Sequence, residues 1–305
     1  MITRVTQRML TNQSLNSVEN GLTGMAKAQE QLTTGKRLNR PSDSPTDTTV
    51  ALRARAGVAQ QTQFQRNAQD GISWLSTIDS TIQGATDQVR RAYTLAVQGA
   101  NTASNGASAS SALADEVDQI KKSLVDFANT QYLGRPIFGG TTTSGAAFTM
   151  DSTGKVTYTG NGNTPAGQVN RRVGVDSVVR VDSDGTKVFG SDGSNVFDHL
   201  TALSTALRQV PADSAGIEQS ISDLQADMDR LSAAAADEGA RMNQINQASN
   251  VASATQLALQ KTQSDVEDVD IAQATIEMQT QTNAYQAALM AVSKTSQRSL
   301  LDFLS

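Results

Sequence analysis

Few side chains in this sequence have the type and spacing needed for chemistry. The single histidine, His199, has no second histidine and no cysteine with which to share a metal ion, so we predict a structural or solvent-facing role for it. No set of Ser, His and Asp residues has support as a catalytic triad beyond chance occurrence. The sequence therefore predicts a protein that is not an enzyme and has no catalytic, metal-binding or cofactor-binding residues.

Acidic residues are concentrated in two short stretches. The first contains Asp265, Glu267, Asp268 and Asp270, but it lacks the glycine and the ligand spacing of an EF-hand calcium loop, so we expect a solvated or interface-facing bend. The second, DSDG at residues 182–185, resembles the start of a calcium loop, but its flanking valines favour a hairpin turn.

The charge and composition favour a protein partner. The net charge is -5, and the basic residues Lys36, Arg37 and Arg40 lie together without interleaved aromatic residues, which predicts no nucleic-acid partner. Trp74 adjoins an apolar helix position and is expected to pack rather than to bind a ligand. No apolar run approaches membrane-spanning length, which predicts no membrane partner, and the first ten residues do not resemble a cleavable signal peptide.

The strongest pattern is a heptad register, in which apolar residues recur three and four positions apart and form one seam of a helix. It occurs in four segments and predicts four long helices. The seam positions are Leu15, Val18, Leu22, Met25 and Leu32 in the first segment; Phe64, Ala68, Gly71, Leu75, Ile78, Ile82, Ala85, Val89, Ala92 and Ala96 in the second; Leu113, Val117, Ile120, Leu124 and Phe127 in the third; and Ile217, Ile221, Leu224, Met228, Leu231, Ala235, Glu238, Met242, Ile245, Ser249, Ala252, Gln256, Leu259, Gln263 and Val266 in the fourth. All five prolines lie outside these runs, as expected because proline interrupts helices.

Between the third and fourth segments the periodicity changes from helical to alternating. Twelve of the 22 glycines fall within residues 134–193, so this region is rich in turns. The apolar pairs that alternate with polar residues are Phe148 and Met150, Val156 and Tyr158, Val173 and Val175, and Val179 and Val181. This pattern predicts a small antiparallel β domain.

We therefore predict a mainly α fold: an elongated antiparallel helical coiled-coil bundle formed by the N- and C-terminal arms, with a small inserted β-rich domain. The predicted division is into terminal helices at 1–40 and 268–305, a coiled-coil rod at 41–140 and 191–267, and the insert at 141–190. Because the insert interrupts the two arms, the arms must pack together.

The terminal segments have few apolar residues for their length. A segment of this kind buries too little surface to offset an ordering entropy of roughly 1 to 2 kcal/mol per residue. We expect both termini to be loose in the monomer and to become helical when neighbouring subunits cover them. The residues expected at this interface are Leu15, Val18, Leu22, Met25, Leu32, Ile276, Tyr285, Leu289, Val292, Leu300, Leu301 and Phe303.

Three stretches together resemble the bacterial flagellin family. LTTGKRLNRPSDSP at 32–45 and NAQDGISWLSTIDSTI at 67–82 resemble its N-terminal region, and residues 264–305, which begin SDVEDVDIAQ, resemble its C-terminal region. The motif positions are Gly35, Asn39, Arg40, Pro41, Asp43, Asn67, Asp70, Gly71, Glu267, Asp268 and Asp270. RPSDSP and YLGRPIFGG, at 132–140, are more similar to the hook-associated members of the family than to flagellin.

This resemblance implies a structural adaptor that joins the flagellar hook to the flagellin filament. The implied partners are other copies of itself in a ring, the preceding hook-associated protein, flagellin and a flagellar export chaperone. It also implies type III export without a cleavable signal peptide and an extracellular place at the hook–filament junction. Two alternatives remain open: flagellin itself, and a secreted coiled-coil effector or adhesin whose β insert is the binding head.

Overall fold

The structure is a computed structural model that describes residues 7–102, 106–142 and 145–304; the side chains at residues 7, 8, 10, 11, 102 and 294–304 lie outside this description. Its helices are α1 (Gln7–Thr34), α2 (Pro45–Thr102), α3 (Ala107–Ala128), α4 (Gly185–Phe189), α5 (Val196–Arg208), α6 (Ser214–Glu267) and α7 (Ile271–Leu304). Its strands are β1 (Gln131–Tyr132), β2 (Arg135–Pro136), β3 (Phe148–Met150), β4 (Val156–Tyr158), β5 (Asn170–Arg172), β6 (Val178–Arg180), β7 (Gly190–Ser191) and β8 (Ser194–Asn195). The predicted mainly α fold with a β-rich insert is confirmed.

Two compact units make up the chain. The first consists of Met1–Gln60 and Thr255–Ser305, and the second consists of Gln61–Ala254. The first unit contains α1 and α7, the second contains α3 to α5 and the described strands, and α2 and α6 contribute residues to both. The three-part division made from the sequence concerns roles in assembly, and it stays a prediction.

The heptad seams account for the helical core of the second unit. All ten predicted positions of α2 within residues 64–96 are buried. The predicted positions of α3 within 113–124 are buried as well, and Phe127 is half-buried. Along α6, the predicted positions within 217–252 alternate between buried and half-buried, as expected when one stripe of a long helix faces its neighbours.

Small residues let α2 approach its neighbours closely. A Cβ atom at Gly84 would lie 3.0 Å from the ring of Phe127 on α3. A Cβ atom at Gly71 would lie 2.9 Å from Cδ1 of Ile245 on α6. Helices that meet through glycine and alanine need few large side chains between them, which explains the low aromatic content of the chain.

The insert is built from antiparallel two-stranded ladders, and it shares the core of the helices. β3 and β4, which lie at two of the predicted strand positions, pair antiparallel with Phe148 opposite Tyr158. The Phe148 ring lies 5.5 Å from the ring of Phe189 in α4 and 5.4 Å from that of Phe197 in α5, measured between centroids. One apolar cluster therefore runs from the helices into the insert.

Trp74 belongs to the same core. Its side chain is buried, its ring centroid lies 5.2 Å from that of Tyr132, and the guanidinium carbon of Arg171 lies 5.6 Å from its centroid. The predicted packing role of this tryptophan is confirmed.

Two local predictions in the insert were wrong. Val173 and Val175 are not strand residues but belong to the turn between β5 and β6, which closes through a bond from the Val173 amide to the Ser177 carbonyl of 3.0 Å. The DSDG stretch is not a hairpin turn. Asp182 is fully buried and accepts a hydrogen bond from the Val169 amide, and Asp184 caps the N-terminus of α4.

Candidate assembly site

The segment after α1 turns sharply under the control of a few motif residues. Gly35 has a φ of +68°, and its amide donates to the Gln31 carbonyl at 2.9 Å, which ends the helix. The Asp43 carboxylate then accepts hydrogen bonds from the amides of Asn39 and Arg40, at 3.2 and 2.9 Å. The Arg40 amide, more than any other group, holds the pKa of Asp43 below its ordinary value.

The two prolines of RPSDSP fit this turn. Pro41 lies in the turn that the Asp43 carboxylate organises. Pro45 is the first residue of α2, where an amide N–H would have no helical acceptor. The motif therefore forms the second half of the connection after α1 and begins α2.

A second chain break separates α6 from α7 and lies beside the first. Asp270 caps α7 by accepting from the Gln273 amide at 3.1 Å. The Val269 amide donates to the Gly35 carbonyl at 3.0 Å, and Lys36 pairs with Asp268 as an isolated antiparallel bridge. The predicted bend is present at this point, and backbone hydrogen bonds tie it to the turn after α1.

Glu267 lies at the centre of these two breaks. The residue is 2% exposed, so the prediction of a solvated or interface-facing bend was wrong for this residue. Its Oε2 atom accepts from Lys36 Nζ and from Gln263 Nε2, both at 3.1 Å, and Arg55 Nη2 lies 2.7 Å from Oε1. Burial raises the pKa of a carboxyl, but Arg55, Gln263 and Lys36 together outweigh it and hold the pKa of Glu267 at about 2. We call these four residues the Glu267 cluster.

The basic residues singled out in the sequence are paired with carboxylates. Lys36 binds Glu267, Arg37 binds Asp47 at 2.9 Å, and the Arg40 guanidinium lies 3.5 Å from Glu30. These pairings favour a role in holding the turn over recognition of phosphates.

Sequence reasoning missed Arg55. Extending the α2 heptad register backwards from Phe64 reaches position 54, and Arg55 is its immediate neighbour. Charged residues that flank a seam commonly form interhelical ion pairs, so the position of Arg55 could have been used to predict such a pair.

Small residues hold α1 against α7. A Cβ atom at Gly21 would lie 3.3 Å from Cα of Tyr285, and one at Gly24 would lie 2.8 Å from Oε1 of Gln281. Ala28 of α1 is buried as well. The paired positions run in opposite directions along the two helices, so the helices are antiparallel.

The predicted seam of the first segment is therefore not the buried stripe of α1. Leu15 and Leu22 are 53% and 48% exposed, and Val18, Met25 and Leu32 are half-buried. The buried stripe contains Gly21 and Ala28 instead, because small residues permit the closest approach of the two helices.

The predicted interface residues of α7 divide in the same way. Ile276 and Leu289 are exposed, and Tyr285 and Val292 are half-buried. The side chains of Leu300, Leu301 and Phe303 lie outside the described part of the chain. The interface role of these residues stays a prediction.

Among its described residues, the first unit fully buries no large apolar side chain. The apolar residues that it buries, among those described, are all alanines: Ala28, Ala51, Ala54 and Ala274. Of 17 large apolar residues that are exposed in the described chain, ten belong to this unit: Met9, Leu15, Leu22, Val50, Leu52, Leu257, Ile271, Ile276, Leu289 and Met290. We call these ten the outward apolar set.

The other motif residues serve the fold of the second unit. Asn67 Nδ2 donates to the Arg172 carbonyl at 2.7 Å, and Asp70 accepts from Arg171 Nε at 2.6 Å. Together with the close packing at Gly71, these bonds fix the insert against α2. These three residues thus lie in a different unit from the Glu267 cluster.

The remaining candidates for chemistry lie elsewhere. His199 Nδ1 is 2.7 Å from Asp227 Oδ2, which gives it an ion-pairing role between α5 and α6. Among the described residues, no group of three or more His, Cys, Asp or Glu side chains is placed to hold a metal ion. None of the helices in the described ranges has the length and apolar character needed to cross a membrane.

A mainly α fold whose two ends form one helix pair, with large apolar side chains facing outward, is the arrangement of a structural subunit. Comparison with known proteins agrees. Residues 5–143 match the bacterial flagellin N-terminal helical region, and residues 204–304 match the bacterial flagellin C-terminal helical region. The chain therefore belongs to the bacterial flagellin family, which supplies structural components of the flagellum.

Relatives within this family match most of the chain. Flagellar hook-associated protein 3 of Escherichia coli is 26% identical over 290 residues, which cover 88% of this chain and 89% of that protein. A flagellin of Bacillus subtilis is 24% identical over 280 residues, 88% of either chain. The crystal structure of hook-associated protein 3 from Legionella pneumophila shares the fold, with a TM-score of 0.61, 14% identity, and coverage of 70% of this chain and 98% of that one.

Proposed function

We propose that this chain is a hook-associated adaptor that joins the flagellar hook to the flagellin filament. The observation that carries the proposal is the outward apolar set of the first unit. Fully burying one such side chain contributes roughly 1.5 to 3 kcal/mol. A unit whose buried apolar residues are alanines gains this energy from its exposed large apolar residues only when other subunits cover them.

The weak internal packing of α1 and α7 supports the same role. Their contact through Gly21, Gly24 and Ala28 buries little apolar surface compared with the seam of α2. The two terminal helices then obtain much of their stability from neighbours, and they fold fully when the subunit is incorporated. The sequence-based division into terminal helices, rod and insert is part of this proposal.

The partners follow from the adaptor role. Copies of this chain form a ring, the preceding hook-associated protein covers one face, and flagellin covers the other. An export chaperone covers the C-terminal helix before export through the type III apparatus. The finished subunit is extracellular and lies at the hook–filament junction.

Flagellin itself is the second candidate, because the Bacillus subtilis flagellin matches as large a share of the chain as hook-associated protein 3 does. The stretch YLGRPIFGG favours the hook-associated role by its resemblance to that branch. In this chain it forms the β1–β2 hairpin and then places Ile137 and Phe138 fully in the core.

The test is the phenotype of a strain that lacks this gene, examined by electron microscopy and by assay of flagellin in the medium. We expect hooks without filaments and flagellin shed as monomer, both reversed by the wild-type gene. Loss of filaments without shed flagellin would favour flagellin itself. Intact rotating filaments would overturn both candidates and favour the secreted effector or adhesin.

A further inference from the structure

A cavity of about 200 Å³ opens on the first unit beside the Glu267 cluster. Its apolar lining is formed by Leu38, Pro41, Ala51 and Leu52. Leu52 is 57% exposed, so this lining faces solvent in the isolated chain. An apolar cavity of ~150 Å³ accepts a benzene-sized group, so this one has room for a single leucine side chain.

Two guanidinium groups add a positive charge to the cavity. Arg55 pairs with the buried carboxylate of Glu267, but its side chain is still half exposed. Arg40 is 70% exposed, and its contact with Glu30 is loose at 3.5 Å. The chemistry that fits such a cavity is an aliphatic side chain accompanied by a carboxylate about one helical turn away.

The chain carries this combination on the outer face of α1. Leu15, Glu19 and Leu22 are all exposed and lie four and three positions apart, which places them on one face of the helix. Within the described residues, no lysine or arginine pairs with Glu19. The face therefore presents two leucines with a carboxylate between them.

We propose that Leu22 of one subunit docks in this cavity of a second copy, with Glu19 of the first subunit facing Arg40 of the second. This inference rests on the proposed function and names one contact between the copies in the ring. The two surfaces are different patches of the same chain, so the contact is head-to-tail. Contacts of that kind generate rings when the rotation closes, and helical filaments when it does not.

Cysteine cross-linking tests the contact directly, because the chain contains no cysteine. The variant Leu22→Cys with Leu52→Cys is expressed in the strain lacking the gene, and flagella are isolated and oxidised. We expect a ladder of cross-linked dimers and larger oligomers. Each subunit carries two cysteines, and one cross-link uses only one of them, so a cross-linked dimer can still react with a further subunit at both of its ends. The controls are the two single variants and the pair Leu22→Cys with Val175→Cys, whose second position is exposed in the second unit.

The outcomes separate the possible occupants of the cavity. A ladder from the Leu22 and Leu52 pair alone supports the proposal. Dimers from Leu22→Cys alone mean that α1 meets a second α1, which overturns it. If the variant is present in flagella at the wild-type amount but forms no ladder, another flagellar protein fills the cavity and the proposal is wrong.

A charge exchange provides the second measurement. In the cross-linking background, Glu19→Arg and Arg40→Glu should each lower the yield of ladder roughly fivefold or more, because like charges then face each other. Combining them should restore the yield, which a folding defect would not do. Failure of the combination to restore it would overturn the pairing of Glu19 with Arg40.

These tests are distinct from the test of the proposed function. Filaments on cells that lack the gene would refute the adaptor role itself. Normal dependence of filaments on the gene, with no Leu22 to Leu52 ladder, would refute only the docking contact.

Discussion

Glu267 Oε2 accepts a hydrogen bond of 3.1 Å from Nζ of Lys36, a residue 231 positions earlier in the chain. This bond joins the break after α1 to the break before α7. Since Arg55 reaches the other oxygen of the same carboxylate, three separate segments meet at one buried charge.

The first prediction is that Glu267→Gln destabilises the first unit by roughly 1 to 3 kcal/mol, because it leaves Lys36 and Arg55 without their carboxylate. Both cations are partly exposed, so solvent offsets part of the loss. Amide hydrogen exchange at Arg37, Leu38 and Val269 should become faster. The matched control is Glu116→Gln, which removes an exposed pair with Arg91 and should cost less than about 0.5 kcal/mol.

The same carboxylate should make the first unit sensitive to acid. Its pKa of about 2 in the folded chain is below the ordinary 4.5, so the folded state binds this proton less readily than the unfolded state. The stabilisation is complete above roughly pH 5 and disappears as the pH falls towards 2. Protection factors at the same amides, in which the intrinsic pH dependence of exchange is already divided out, should fall less between these limits in Glu267→Gln than in the wild type; an equal fall would contradict the assignment.

The second prediction concerns His199. Its hydrogen bond with Asp227 raises the pKa of the imidazole above the ordinary 6.5, although burial acts in the opposite direction. The stabilisation is therefore full below pH 6.5 and disappears as the pH rises through the folded pKa. Because the chain has one histidine, a single imidazole resonance in an NMR titration reports this value. Asp227→Asn should lower it, and a wild-type value at or below 6.5 would refute the pairing.

The third prediction compares two glycines in helices. At Gly71 a Cβ atom would lie 2.9 Å from Ile245 Cδ1 and 3.2 Å from Val181 Cγ1, both in the core, so Gly71→Ala should destabilise the second unit by roughly 1 to 2 kcal/mol. At Gly239 an added Cβ atom would have no described neighbour within 4 Å apart from the adjoining backbone of its own helix, so Gly239→Ala should stabilise by about 0.5 to 1 kcal/mol through helix propensity. Denaturant unfolding measures both. Equal effects at the two sites would show that packing at Gly71 is not close.

The fourth prediction separates folding from assembly. Leu289→Lys places a charge in the outward apolar set, where the isolated chain leaves it in water, so helix content and unfolding midpoint should stay at wild-type values. Incorporation into flagella should be lost, because a neighbour would have to bury the charge. Val175→Lys, at an exposed position of the insert, is the control and should be incorporated. Normal incorporation of Leu289→Lys would refute the role given to this surface.

The heptad register predicted the helices well, because burial along α2 and α6 repeats with the period that the side chains show. It failed for α1, where the buried stripe consists of Gly21 and Ala28. A pattern search that counts large apolar residues as core cannot recognise a contact made by small ones. In that helix the large residues, Leu15 and Leu22, have the heptad spacing but face outward.

The structure around the family motifs was likewise predicted only in part. The prolines were predicted to lie outside the helical runs, and the structure places Pro41 and Asp43 in a turn. The burial of Glu267 was not visible in the sequence, because an acidic stretch ordinarily indicates solvent and the partners Lys36 and Arg55 come from the other end of the chain. Only the fold brings these charges together, so local patterns could locate the bend but not its central carboxylate.

The separation of Lys36 and Glu267 also sets the order in which the chain can fold. Closing a loop of this length costs conformational entropy before any contact compensates for it, and contacts between distant positions form slowly. The second unit lies within one continuous stretch and does not need the chain ends. The first unit must therefore wait until Glu267 and α7 are available, so it can be completed only after all residues of the second unit have emerged.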